Sequence, residues 1–471
     1  MKKVALHNLG CKVNGYEMDV MQQTLEENGY KIVPFDKKAD IYIINTCTVT
    51  NIADRKSRQM LHRAKKMNPD AVVVAVGCYV QTGKEEALKD LSIDLAIGNN
   101  KKKDLLALLE EYLKQKDEGI LIDGSTESSD VDASHSLKTL QGKSVIDINQ
   151  TTEYEDMQLA HTAEHTRAFL KIQDGCNQFC SYCIIPYARG RVRSRSKEEI
   201  LKEVKNLARN GYKEVVLTGI HLSSYGMDFD GIKNIGKNEA FPHERLLDLI
   251  EEIHDVEGIE RIRLGSLEPR IITREFVKGI SVLPKFCPHF HLSLQSGCDS
   301  VLKRMNRKYT TEEYYKGVCL LREYFDQPAI TTDVIVGFPM ENDDEFEQTV
   351  CFLEKIGFYE MHIFKYSRRK GTVADAMDGQ VPEDVKTKRS NRLLALEEKM
   401  SENYRKAHIH KPTSILFEEE KEINGKVYQI GHSMEYIKVA TESTDNLSGK
   451  ILAGRYGEVL QQDLLSFVAD K

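Results

Sequence analysis

The chain has no apolar run of membrane-spanning length, and no charged-then-apolar signal segment precedes its first strand-like stretch. No membrane association is therefore expected, and the cytoplasm is the default compartment. A strong excess of charge is also missing: 66 Lys and Arg stand against 73 Asp and Glu, a formal net charge of −7. That balance excludes a protein that coats nucleic acid indiscriminately, though not one that grips RNA through a local basic patch. Cysteine, by contrast, is present ten times in 471 residues. In a reducing compartment, patterned cysteines point to metal ligation or catalysis rather than disulfides. The length calls for two or three domains, and the 41% hydrophobic and 30% charged content is that of a soluble globular protein.

Six of the cysteines form two sets. Cys176, Cys180 and Cys183 make a tight C-x3-C-x2-C run, whereas Cys11, Cys47 and Cys78 each follow a short apolar, strand-like segment. Three thiolates leave one iron of a [4Fe–4S] cluster without a protein ligand, free to bind a small molecule and pass it an electron. Zinc is the competing reading of the tight set, but a structural zinc site closes with four ligands. No Cys or His lies just downstream, and His161 and His165 lie upstream, beyond a strand. For the spread set the alternative is three small buried core residues; recurrence at successive strand ends favours a ligand triad. Cys287, Cys298, Cys319 and Cys351 show no ligand spacing.

The hydrophobic pattern predicts an α/β protein in three parts. Residues 1–117 alternate strand and helix, with strands at Lys3–Leu9, Ile41–Cys47 and Ala71–Cys78; such Val/Ile-rich strands suit an open parallel sheet. Open sheets build sites beyond the carboxyl ends of their strands, where Cys11, Cys47 and Cys78 all fall. Residues 118–165, rich in Ser, Asp, Thr and Gln, read as a loosely held linker. From 166 to 400 the rhythm returns, with strands at Ala168–Gln173, Glu214–Thr218, Arg261–Leu264, His289–Leu294, Ile330–Val336 and Met361–Tyr366. Six βα units suit a partial barrel, with Cys176 at its C-terminal rim. Helices are predicted over Lys197–Ala208 and Glu345–Lys355, the second started by Glu341, Asp343, Asp344 and Glu345. Residues 228–239 form a polar insertion. Residues 401–471 read as a small antiparallel β-barrel of a type often used to hold nucleic acid, a structural cap being the alternative.

A strand followed by C-x3-C-x2-C with interleaved aromatics resembles the radical S-adenosylmethionine (SAM) superfamily. The resemblance implies that the open iron binds the amino and carboxylate groups of SAM and that electron transfer cleaves its sulfonium. It also implies cofactor contacts at the strand ends: Gly219, Ser266, Glu268 and Gln295, with Arg189 of the alternating Arg189, Arg191, Arg193, Arg195 series on the SAM carboxylate. The other arginines are candidates for RNA phosphates or for a solvated edge, as are Lys365 and Arg368–Lys370.

The three-part order resembles the methylthiotransferase family, which implies an auxiliary [4Fe–4S] cluster on Cys11, Cys47 and Cys78, a SAM-cleaving [4Fe–4S] cluster on Cys176, Cys180 and Cys183, and a C-terminal TRAM-like RNA-binding module. Leu9–Asn14 (LGCKVN) and Gln173–Asn177 (QDGCN) look like the bacterial branch acting on N6-threonylcarbamoyladenosine in tRNA. The implied reaction inserts a methylthio group at C2 of that base, beside the anticodon. Partners would be tRNA, an electron donor such as flavodoxin or ferredoxin, and a sulfur source. The alternatives are the same chemistry on isopentenyladenosine in tRNA or on a ribosomal-protein aspartate, or a non-catalytic iron–sulfur RNA-binding protein.

Overall fold

The structure is a computed structural model, and it describes residues 1–119, 144–160, 166–236 and 239–470. The first sheet is entirely parallel, in the order β2-β1-β3-β4-β5: β1 (Lys3–Asn8), β2 (Lys31–Val33), β3 (Ile41–Thr46), β4 (Val72–Gly77) and β5 (Leu95–Ile97). Every position of β3 and β4 is buried, as expected of strands covered on both faces. β1, β3 and β4 match the strands expected from the sequence; β2 and β5 have three residues each, too few to carry a pattern.

The middle region contains β6 (Arg167–Asp174), β7 (Arg193–Ser194), β8 (Glu214–Gly219), β9 (Arg261–Leu264), β10 (His289–His291), β11 (Ala329–Val336) and β12 (Glu360–Lys365). Their pairing runs β7-β6-β8-β9 and β10-β11-β12, and isolated bridges Ile262↔Phe286 and Leu267↔Leu292 join the two runs. Apart from β7, which lies antiparallel to β6, these are the six parallel strands of a partial barrel. Leu170, Leu217, Ile262, Phe290, Val334 and Met361 pack into one apolar core with the helices. The pleat therefore turns the alternate residues toward the lumen. Helix Asp343–Ile356 starts with a capping box between Asn342 and Glu345. Glu341 lies outside it, accepting instead from the Gly337 amide (2.6 Å) and Arg389 (2.7 Å).

Part of the expected linker is load-sharing structure. Residues 120–143 and 161–165, with His161 and His165, lie outside the described residues, as do 237 and 238 of the polar insertion. In residues 144–160, however, Val145, Ile148, Met157 and Leu159 are buried. Tyr16 of the N-terminal domain donates to the Met157 carbonyl, and Tyr154 donates to the Lys171 carbonyl of β6 at 2.8 Å. Isolated apolar residues in a polar stretch carry no period, so their burial is invisible before the two domains meet.

After helix Glu383–Lys406, β13 (Pro412–Ile423), β14 (Lys426–His432), β15 (Lys438–Glu442), β16 (Ile451–Gln461) and β17 (Leu464–Ala469) close a barrel in the order β13-β14-β15-β17-β16. It is antiparallel except where β15 and β17 pair in parallel, which corrects the wholly antiparallel expectation: closing five strands brings β17 alongside β15 in the same direction. This barrel docks where the central strands begin. Arg261 donates to the carbonyls of His432 (2.9 Å) and Ser414 (2.7 Å), Arg263 to that of Met434 (2.8 Å), and Arg167 pairs with Glu418. Among the described residues no helix is long and apolar enough to cross a membrane.

Candidate active site

The spread cysteines are brought together by the parallel sheet. Cys11 caps helix Lys12–Glu27 after β1, Cys47 follows β3, and Cys78 opens a short helix after β4. These strands are neighbours pointing the same way, so their carboxyl ends share one edge. Asn14 donates to the carbonyls of Leu9 (2.7 Å) and Thr46 (3.1 Å), with its Oδ1 3.9 Å from Cys11 Sγ. Gly10, at φ +112°, lies so close to Cys47 that a Cβ would stand 3.3 Å from its Sγ. Asn99 Nδ2 donates to Cys78 Sγ at 3.4 Å. Burial, and then repulsion from Cys78 and Cys11, push the Cys47 thiol up to about 11. Desolvated thiolates that repel one another are a donor set that clustered iron cations satisfy. Cys11 is an exposed residue, yet burial still raises its thiol.

The tight set occupies the turn leaving β6. Gly175, at φ +73°, makes that turn, and a Cβ there would overlap the Arg191 carbonyl. The loop is held by residues about 125 positions away. Ser181 donates to the carbonyls of Met305 (3.0 Å) and Arg304 (2.8 Å), and Asn306 donates to the Phe179 carbonyl (2.9 Å). Arg307 donates to Cys180 Sγ at 3.3 Å while also reaching the Ser293 carbonyl (3.1 Å) and Tyr309 hydroxyl (3.0 Å). Sequence reasoning missed Arg307, since nothing near it marks a partner so distant. Burial, and then repulsion from Cys180, push Cys183 up to about 12 and raise Cys176 as well.

The two sets are linked by three consecutive residues. Asn99, the donor to Cys78 Sγ, also donates to the Ala188 carbonyl at 2.7 Å. Arg189 donates to Asn14 Oδ1 (2.6 Å), to Glu17 (2.9 and 3.0 Å) and to Asp174 (3.1 Å). The Gly190 carbonyl accepts the Cys176 amide at 3.0 Å. Arg189, expected on the SAM carboxylate, is thus fully buried between the domains with its terminal nitrogens committed to Glu17 and Asp174. Burial opposes ionisation of both carboxylates, but Arg189 and Lys171 hold each below its usual range, with Lys102 also acting on Glu17. Arg193 and Arg195 are buried beside Asp174 and Glu203 respectively, leaving Arg191 exposed and stacked on Phe179 at 4.6 Å. Arg369, of the Arg368–Lys370 cluster expected on RNA phosphates or a solvated edge, reaches Thr48 (2.7 Å), Asn51 (2.9 Å) and Asp54 (2.6 Å), clamping the Cys47 loop to the central barrel.

Gly219 is the last residue of β8, while Ser266 and Glu268 follow β9 and Gln295 follows β10, around the rim that carries the tight loop. Gln173 accepts the His221 amide (2.8 Å) and donates to the carbonyls of Asp174 (2.8 Å) and Gly175 (2.7 Å), tying β8 to the loop. Ser266 is exposed, whereas Glu268 is buried and held by Arg270 at 2.8 Å. Gln295 adopts φ +72° and bonds through its backbone to Asp333 and Ile335, each at 2.9 Å. Burial, then the charges of Arg307 and Arg270, lower His221 to about 3, so its imidazole is neutral. Its Nε2 is buried without a protein partner among the described residues. An unpartnered imidazole nitrogen, an exposed hydroxyl and a three-thiolate donor set on one rim fit a polar cofactor bound beside a cluster.

Residues 170–353 match the family described as the Radical SAM superfamily, and residues 3–98 match Uncharacterized protein family UPF0004. The chain is 38% identical over 454 residues to the threonylcarbamoyladenosine tRNA methylthiotransferase MtaB of Bacillus subtilis, covering 96% of this chain and 93% of that one. Its identity to the Aquifex aeolicus protein of that name is 40%, over 89% and 94% of the two chains. A tRNA-2-methylthio-N(6)-dimethylallyladenosine synthase of Thermodesulfovibrio yellowstonii is 35% identical over 88% of each. The radical S-adenosylmethionine methyltransferase TsrM of Kitasatospora setae superposes with a TM-score of 0.54 at 16% identity, over 79% of this chain and 77% of that one, a likeness of fold alone. With that identity along nearly its whole length, the chain belongs to the radical SAM tRNA methylthiotransferase family.

Proposed function

We propose that this enzyme attaches a methylthio group to C2 of N6-threonylcarbamoyladenosine, beside the anticodon of tRNA, using SAM and two [4Fe–4S] clusters. The observation that carries the reading is the pairing of two three-thiol sites across the segment Ala188–Gly190, in a chain 38–40% identical to two threonylcarbamoyladenosine enzymes. Cys176, Cys180 and Cys183 hold the cluster that binds SAM, and Cys11, Cys47 and Cys78 hold the auxiliary cluster that handles sulfur. When bound, SAM and the clusters supply hydrogen abstraction from an unactivated carbon and transfer of a methylated sulfur. Gly219, Ser266, Glu268 and Gln295 shape the SAM site on the rim. Arg307 offsets negative charge on the Cys180 sulfur and fixes its position. Arg189 holds the two cluster loops in register instead of touching SAM. The C-terminal β-barrel supports the RNA, and an electron donor such as flavodoxin or ferredoxin and a sulfur source complete turnover.

Nucleosides of tRNA from a strain lacking the gene test the substrate. The methylthio form of threonylcarbamoyladenosine should disappear while the unthiolated form accumulates, and a plasmid copy should restore it. An unchanged level rejects this substrate; loss of methylthio-isopentenyladenosine instead would reassign the enzyme.

A further inference from the structure

The lumen of the central barrel holds a polar group that the cluster and SAM sites leave unused. His291 on β10, Asp333 on β11 and His362 on β12 share a face, for the residues alternating with them, Phe290, Leu292, Val334 and Met361, are in the core beneath the helices. Asp333 and His362 are direct partners in the β11–β12 register. His291 Nε2 lies 3.5 Å from Asp333 Oδ2, and the two imidazoles stack with centroids 5.9 Å apart. His291 Nδ1 is fixed by the Thr331 hydroxyl at 3.0 Å, which leaves Nε2 toward the lumen. The three side chains keep contact with solvent, His362 most of all.

A cation reaches the same interior from the other domain. Lys12 follows Cys11, and its ammonium lies 5.9 Å from the ring of Phe169, a lumen-facing residue of β6. Among the described residues no carboxylate pairs with it, and it is exposed although helix Lys12–Glu27 lies against β6 and β8.

We propose that Lys12, His291, Asp333 and His362 form the subsite for the N6 substituent of the substrate adenosine, a threonylcarbamoyl arm. This inference rests on the substrate reading above. The arm carries a carboxylate, a hydroxyl and ureido N–H groups, a set that calls for both a cation and an acceptor. Lys12 and the imidazoles meet the carboxylate, and Asp333 accepts an N–H or O–H. A dimethylallyl arm is hydrocarbon: it would displace water from these groups and offer none of them a hydrogen-bond partner, which a polar pocket rejects.

The test compares binding of two anticodon stem-loops, one with threonylcarbamoyladenosine and one with plain adenosine, to cluster-loaded enzyme. Wild type should bind the modified loop about tenfold or more the tighter, the discrimination expected when a site hydrogen-bonds a group the rival lacks. Lys12→Met and His362→Leu should each erase most of that preference, with iron content and affinity for the plain loop near wild type. His362 is exposed, so its variant keeps the test valid even if Lys12→Met disturbs the adjacent cluster ligand. Variants that retain the wild-type preference overturn the subsite while wild-type turnover of the modified loop keeps the substrate reading intact. Failure of wild type to methylthiolate the modified loop overturns the substrate reading and the subsite with it. A non-cluster divalent metal bound by wild type and lost in Asp333→Asn would also overturn it, making the trio a metal site.

Discussion

Arg189 shows how far a residue's role depends on what folds against it. In the sequence it follows a cysteine motif, and a free guanidinium there suits a carboxylate of SAM. In the fold it is buried, and Glu17 and Asp174 reach it from two domains before any ligand can. Its replacement would leave two buried carboxylates short of their main cation. Arg189→Met should therefore cost about 3 kcal/mol or more, read as a lower urea midpoint. Arg189→Lys should recover only part of this, because one ammonium cannot reproduce a planar fork spanning Asn14, Glu17 and Asp174. If Arg189→Met unfolds at the wild-type midpoint, the residue is no strut between the domains. Glu17 lay unmarked in an ordinary helical stretch, which is why the sequence could not reveal this pairing.

At the scale of elements, the strands that hold the sites were legible because each has a continuous apolar run or an alternating one. β10 shrank to three residues because its continuation, Leu292–Gln295, follows bridges and a left-handed turn rather than a regular ladder. The tight cysteine loop is the element most exposed to a backbone change. Gly175 combines φ +73° with an approach to Arg191 that leaves no room for a Cβ. Gly175→Ala should displace the loop and drop bound iron from about eight to about four per chain, one [4Fe–4S] cluster being lost. Iron and acid-labile sulfide of anaerobically reconstituted protein measure it; full iron content would mean the loop tolerates the change. The spacing of Cys176, Cys180 and Cys183 was visible in the sequence, whereas the Met305–Arg307 support was not, since it is joined to the loop only through tertiary hydrogen bonds.

For the whole molecule, the arrangement of two triads predicts a division of labour. Cys180→Ala should abolish formation of 5′-deoxyadenosine from SAM under reducing conditions. Cys47→Ala should preserve that cleavage and lose methylthio transfer to tRNA, as followed by nucleoside chromatography. Loss of cleavage in Cys47→Ala, with the tight-site cluster intact, would contradict the assignment. The two sites work on one substrate only if the domains are held in fixed relation. Ala188–Gly190, the Arg369 clamp and the buried residues of 144–160 all serve that relation.

The sequence carried the chemistry in short patterns: three thiols at fixed spacing, and three more at the ends of parallel strands, where open sheets build sites. It likewise determined the six-strand middle region, because side-chain alternation and helical period are properties of short windows. Tertiary structure alone decided which charges face a ligand and which disappear into the joint between domains. It buried Arg189, Arg193 and Arg195, and it left Lys12 and His362 exposed. The physical reason is that a charged group in a desolvated joint is stable only beside its counter-charge, and here that counter-charge comes from residues such as Glu17, more than 170 positions away.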